Sequence, residues 1–454
     1  MRDLIPNSVE ARDVAYHLHS YTNARALEQA GPMVIDRGEG IRVFDNNGKS
    51  YIEAMAGLWS VAVGFNEKRL ADAAYAQMLK LPYYHNFAQK SHGPVIDLAE
   101  TLVGMAPVPM SKVFFTNSGS EANDSIVKLV WYRSNAMGKP EKKKIISRLR
   151  GYHGVTALSA SLTGLPNNHR SFDLPLPGIL HTLCPHYWKE GQEGESEEAF
   201  ATRCADELER LILAEGPETV AAFIGEPIMG AGGVVVPPAG YWQKIQAVLD
   251  RYDILLIADE VICGFGRTGK MFACETFGIR PDILTLSKQI TSSYFPFSAF
   301  MMNARVYEPI ADESNRIGLL GHGFTGGAHP VGAAVALENL RIIEERGLVA
   351  HAAEMGAHMQ ARLGEFRAHP LVGEVRGKAL IAAVELVAPK GREAEFSAGA
   401  LGNRLAGIFA ANGLISRNVL DAMAFCPPLV ITRAEVDEMA GIVGRSLDEL
   451  AASL

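Results

Sequence analysis

The stretch VAAFIGEPIMGAGGVVVPP (220–238), followed by ILLIADEVICGFGRTG (254–269), carries the strongest fold signal in the chain. Each opens as a short apolar run and stops at carboxylates, Glu226 in the first and Asp259 with Glu260 in the second. Continuous apolar runs, rather than alternating ones, belong to strands covered on both faces, and such strands occur in largely parallel sheets flanked by helices. The same texture recurs between about 110 and 290 in KVFFT, KKIISR and DILTLS, with helical patterns in between. The chain therefore reads as α/β. An open sheet of this kind binds its ligand beyond the carboxyl ends of the strands, so residues just after each apolar run are the first candidates for chemistry.

Composition narrows the class. At 454 residues, 48% hydrophobic and 21% charged, the chain supports a large core and two domains. A net charge of −8, with EKKKII (141–146) the one basic run, excludes a nucleic-acid partner, which requires clustered positive charge. Five cysteines (184, 204, 263, 274, 426) without C-x-x-C spacing indicate reduced thiols, neither a disulfide framework nor a metal site. MRDLIPNSVEARDVAYHLHS (1–20) lacks the apolar core of a secretory signal, and no apolar run approaches the roughly 20 residues that cross a bilayer. The expectation is a soluble, cytoplasmic enzyme without membrane contact. After about 325 the pattern changes to long amphipathic helices, then to strand-like GKALIAAVEL and AFCPPLVIT, and TRAE (432–435) reads as the capping box of a last helix.

The strand ends carry four features. NSGSEAND (117–124) puts Ser118, Gly119 and Ser120 ahead of a helix with the stripe Ala122, Ile126, Leu129 and Val130; free N–H groups at a helix start suit a phosphate, and the same residues also read as a plain capping box, Ser118 to Glu121. GYHG (151–154) offers an aromatic ring to cover a planar ligand, or an ordinary packed tyrosine. Glu226 and Asp259 are carboxylates at buried strand ends, and each needs a positive partner or a shared proton. Lys288, after DILTLS, is either their ion-pair partner or a desolvated nucleophile. Together they form the set that pyridoxal phosphate requires: a phosphate cup, a ring cover, an acid for the pyridine nitrogen and a lysine for the aldehyde. GFGRTG (264–269) also spells G-x-G-x-x-G, but DEVIC separates it from its strand and no good helix follows, which counts against a nicotinamide dehydrogenase.

These motifs, from GKSYIEAMAGLWSVAVG through FFTNSGSEAND, GYHG, VAAFIGEPIMGAGGVVVPP, LLIADEVICGFGRTG, SK (287–288) and HGFTGGAHPVGAAVALENL to CPPLVIT, resemble the class III, fold-type I pyridoxal-phosphate aminotransferases, in particular the ω-transaminases that pass amines to pyruvate. The resemblance spans nearly the whole chain. It implies a large domain (66–325) with a mostly parallel seven-stranded sheet, and a smaller α+β domain built from residues 1–65 and 326–454. It also implies a homodimer, or a dimer of dimers, with sites at the subunit interface. By position, Lys288 would take the cofactor's aldehyde and Asp259 would pair with the ring nitrogen. Tyr152 would stack on the ring, Val261 would pack against its other face, and Glu226 would be a structural acid beside it. Ser118, Gly119 and Ser120 would hold the phosphate together with Thr325 of the second subunit. Trp59, Phe87, Tyr152 and Ala231 would line the substrate pocket, and Arg417 would bind the keto acid's carboxylate. No metal is implied.

Gln289 and Ser293 stand where many relatives have Gly, and Gly326 and Gly327 where an aromatic and a Ser are common. The reaction expected is transamination from a primary amine or ω-amino acid to pyruvate by a ping-pong mechanism, with an enzyme dedicated to β-alanine, taurine or a diamine such as putrescine as the alternative. The sequence does not name the physiological amine or the stereoselectivity.

Overall fold

A computed structural model describes residues 5–454; residues 1–4, the start of the expected 1–65 segment, lie outside the described residues. Seven strands form the large sheet: β1 (Lys112–Thr116), β2 (Lys144–Arg148), β3 (Ile179–Thr182), β4 (Val220–Gly225), β5 (Leu255–Asp259), β6 (Ile283–Leu286) and β7 (Ser298–Met302). Their order is β1-β7-β6-β5-β4-β2-β3. Strand β7 runs antiparallel to both its neighbours, and the other pairings are parallel. Every residue of β4 and β5 is buried, as their unbroken apolar character requires. Along β5 the side chains alternate between two cores. Leu255 and Ile257 face the layer that holds Ile126 and Val130 of helix Gly119–Ala136, whereas Leu256 and Ala258 face the layer with Phe200, Leu208 and Ile245.

Two smaller sheets lie alongside. One is antiparallel, from strands 372–378, 381–386, 422–425 and 417–419; the other is a meander of 35–39, 42–45 and 50–53 completed by the parallel pairing of 414–415 with 52–53. Residues near both ends of the chain therefore share one sheet. The stretch GKALIAAVEL, which reads as one strand, is two: the chain reverses at Ala379, whose φ is +48°. AFCPPLVIT is a strand only to Phe425, because Pro427 and Pro428 carry no N–H for a ladder. The box of Thr432 and Glu435 does open helix Arg433–Ala452. The glycines of GFGRTG form a turn, and Arg267 within it donates to the carbonyls of Leu380 and Pro427, so the motif docks the smaller sheet against the larger one. No described helix is long and apolar enough to cross a membrane.

Candidate active site

Beyond the carboxyl ends of β4, β5 and β6 lies a cavity of about 490 Å³, within the range of small-molecule sites. Trp59, Gly119, Ser120, Tyr152, Glu226, Ala231, Asp259, Val261, Lys288 and Arg417 line it. Ser118, Phe87 and Thr325 do not.

Asp259 is the last residue of β5 and 3% exposed. A carboxylate there is costly unless satisfied. Its Oδ2 accepts from Nδ1 of His153 at 2.8 Å and Nδ2 of Asn123 at 2.9 Å, and its Oδ1 from the Val261 N–H at 3.1 Å. Asn123 is held in turn by the Thr285 hydroxyl at 3.0 Å. The partner of Asp259 is thus a histidine: among the described residues no ion pair joins it to Lys288. Glu226 departs further from expectation. Among the described residues no cationic side chain pairs with its carboxylate, which instead accepts the backbone N–H groups of Tyr152 at 3.0 Å and Gly230 at 2.9 Å, while burial raises its pKa. Glu226 thereby fixes the start of the loop that carries Tyr152. Glu260, next to Asp259, points away and accepts the N–H groups of Ala273 and Cys274 at the start of a short helix, its pKa raised to about 7 by burial.

Lys288 follows β6 with φ at +47°, a left-handed conformation that a side-chain-bearing residue adopts only under constraint. Asn339 supplies that constraint, donating to the carbonyls of Gln289 at 2.7 Å and Ile290 at 3.2 Å. Desolvation lowers the Lys288 amine from 10.5 to about 8, and the negative charges of Asp259 and Glu226 counter only part of this. Trp59 (φ +63°) and Tyr21 (φ +51°), also on the cavity wall, share the left-handed conformation.

The phosphate-cup residues divide. The Ser118 hydroxyl is used as the N-cap of helix Gly119–Ala136, accepting from the Glu121 N–H at 3.2 Å, so it does not face the cavity. Glu121 turns back to Asn117 rather than closing the box on Ser118. Gly119 and Ser120 present the helix start to the cavity. Gly154, with φ at +138°, completes the cradle: a Cβ there would lie 2.6 Å from the Ser120 hydroxyl oxygen. Tyr152 is largely shielded and burial raises its phenol pKa. Arg417, half-buried, has its guanidinium 6.0 Å from the Tyr21 ring centroid and forms no ion pair among the described residues.

Phe87 (44% exposed) and Thr325 sit together outside this cavity. The Phe87 ring abuts Gly323, and the Tyr83 hydroxyl donates to the Thr325 carbonyl at 2.9 Å. Among the departures, Gln289 donates to the Ile262 carbonyl at 2.7 Å and Ser293 to the Ser60 hydroxyl at 2.7 Å, and both tie down the lysine turn. A side chain at Gly326 would begin 2.8 Å from Asn117 Oδ1, so the small residue keeps this rim open. Sequence reasoning missed His153 and Asn123, although both lie inside quoted motifs, and Tyr21 and Leu58, whose place on the wall no local signal gives.

A model of the family described as aminotransferase class-III matches residues 24–447. A probable gamma-aminobutyrate transaminase 3, mitochondrial, of Oryza sativa subsp. indica is 50% identical over 418 residues, covering 92% of this chain and 82% of its own. The gamma aminobutyrate transaminase 1, mitochondrial, of Solanum lycopersicum is 49% identical over 420 residues, again covering 92% and 82%. Among solved structures, the omega transaminase from Pseudomonas jessenii in complex with PMP has a TM-score of 0.97 and 61% identity, covering 98% of each chain.

Proposed function

This chain belongs to the class-III aminotransferases, and from that premise we propose that it moves the amino group of a primary amine to pyruvate, leaving a ketone or aldehyde and releasing alanine. The family works with pyridoxal 5′-phosphate, and the residues here fit that group: a glycine cradle at a helix start, a carboxylate and a desolvated lysine border one cavity. When bound, the cofactor supplies an aldehyde for the amino group and a ring that takes up the electron pair freed at the substrate carbon. The Lys288 amine, its pKa lowered to about 8, would take the proton from that carbon and deliver it to the carbon that had carried the cofactor's aldehyde oxygen. Asp259, held by His153 and Asn123, keeps a proton on the ring nitrogen. Tyr152 and Val261 would cover the two ring faces and Gly119 and Ser120 would receive the phosphate, while Glu226 holds the Tyr152 loop. Trp59 and Ala231 bound the amine's substituents.

The observation that carries the substrate reading is Arg417, a guanidinium without an ion pair among the described residues, on the wall of the cavity that holds Lys288 and Asp259. A carboxylate gripped by a charge-assisted bidentate contact gains about 1.5–3 kcal/mol, a factor of about 10 to over 100 in affinity. Arg417→Ala is therefore expected to raise the KM for pyruvate by about 10- to 100-fold while leaving single-turnover reaction with 1-phenylethylamine nearly unchanged. Equal loss in both half-reactions would make Arg417 structural, and no loss would assign the carboxylate to another residue. The gamma-aminobutyrate transaminases among the relatives support a second reading, an ω-amino acid donor. In that case the donor half-reaction with γ-aminobutyrate outpaces that with 1-phenylethylamine and falls with Arg417→Ala as steeply as pyruvate does.

The working unit in this reading is a homodimer in which Thr325 and Phe87 complete the second subunit's site. Their absence from the lining of their own chain's cavity supports this, as do the exposed apolar side chains Tyr75, Leu79 and Ile96 on helices Lys68–Lys80 and Gly93–Met105. Thr325→Ala is expected to weaken cofactor retention, read as faster loss of bound cofactor on dilution; a fully active monomer would refute the shared site. The division into a large unit (66–325) and a small one from 1–65 and 326–454 belongs to the same reading, supported by the shared sheet of 50–53 and 414–415. Five free, buried thiols support a cytoplasmic setting.

A further inference from the structure

We propose that Asp13, His17 and His19 form a binding site for a first-row divalent metal ion, Zn²⁺ in the first instance, on the segment that leads into the cavity. None of the three takes part in the reaction above. Asp13 lies in the last turn of helix Val9–Tyr16, and His17 is that helix's C-cap, its N–H bonded to the Asp13 carbonyl at 2.9 Å. Residues four apart on a helix project from one face. Beyond the cap the chain is extended (φ −113°, ψ 119° at His17), which returns His19 to the same side, with the two imidazole rings 4.4 Å apart.

The carboxylate lies between the rings: Asp13 Oδ1 is 3.1 Å from His17 Nδ1, and Asp13 Oδ2 is 2.6 Å from His19 Nε2. One ligand atom from each residue can be chosen so that all three lie within 4.8 Å of one another. Metal bonds of about 2.1 Å put neighbouring ligands roughly 3–3.4 Å apart, so small side-chain rotations complete the geometry. In the metal-free protein the carboxylate accepts ring protons; a bound ion takes the place of those protons. Two imidazoles with a single carboxylate select Zn²⁺ and its transition-metal neighbours over Mg²⁺ and Ca²⁺, which need oxygen ligands. His17, 65% exposed, leaves the remaining coordination positions to water. Ser20 and Tyr21, immediately after His19, line the catalytic cavity, so the ion clips the helix to the strand of chain that forms part of its wall.

The test is calorimetric titration of ZnCl₂ into untagged holoenzyme that has been stripped of metal with a chelator and returned to metal-free buffer. The expected result is one saturable site per chain, weakened more than about tenfold in each of His17→Ala, His19→Ala and Asp13→Asn, since even changes behind the ligands of a metal typically cost 10- to 100-fold. His17 is exposed and Asp13 and His19 are partly so, and circular dichroism with steady-state turnover confirms that the variants are folded. A site unchanged by all three substitutions, or no saturable Zn²⁺ binding in the unaltered enzyme, would overturn the proposal.

Discussion

Lys288→Ala is expected to lower steady-state transamination by at least about 10³-fold with the fold intact, since it removes both a nucleophile and the group that moves the proton. The surroundings of the amine keep it available for both roles. A lysine titrating at 10.5 would be neutral in about 0.3% of molecules at pH 8, whereas one lowered to about 8 is neutral in about half. Because the folded protein disfavours the charged form, the neutral amine appears as pH rises through about 8, and capture of added pyridoxal phosphate by apoenzyme should accelerate over that interval. Added small amines such as methylamine should restore part of the proton transfer in the variant, which a merely structural lysine would not permit. Turnover within tenfold of the unaltered enzyme would remove Lys288 from its assigned role.

The second large effect is at Asp259. Asp259→Asn preserves size and an acceptor oxygen for His153 but removes the negative charge that holds a proton on the ring nitrogen. Loss of one such preorganised electrostatic contact costs about 10²- to 10³-fold, and the loss should appear in the single-turnover rate with amine rather than in melting temperature. His153 and Asn123 position this carboxylate from behind, so their replacement should give smaller losses of the same kind. A variant with normal rate per folded molecule and a lowered melting temperature would make Asp259 a structural acid.

How far the sequence announces this arrangement depends on the range of the interaction. Strands β4 and β5 are legible because burial on both faces demands an unbroken apolar run, and their terminal acids stand out against it. Lys288 and Asp259 are legible for the same reason: charge at a buried strand end is expensive, so it has a use or a partner. What the sequence hides is which partner. His153 lies 106 positions from Asp259 along the chain, and Glu226 is satisfied by two backbone amides that any sequence would supply. Ser118 shows the limit of a motif: the residue is at the helix start as expected, but its hydroxyl serves the helix rather than the ligand. The hairpin of 372–378 and 381–386 is missed because its turn at Ala379 carries no glycine or asparagine to mark it. Tyr21 reaches the cavity from a segment with no strand-end signal at all.

If one cavity exchanges an amino group in two separable half-reactions, each leaves its mark on the spectrum of the enzyme. Purified holoenzyme should be yellow, lose that colour on addition of 1-phenylethylamine with one equivalent of ketone released per site, and regain it on addition of pyruvate with one equivalent of alanine formed. A colourless protein that binds NADH, or a coloured one that neither amine nor pyruvate alters, would contradict it.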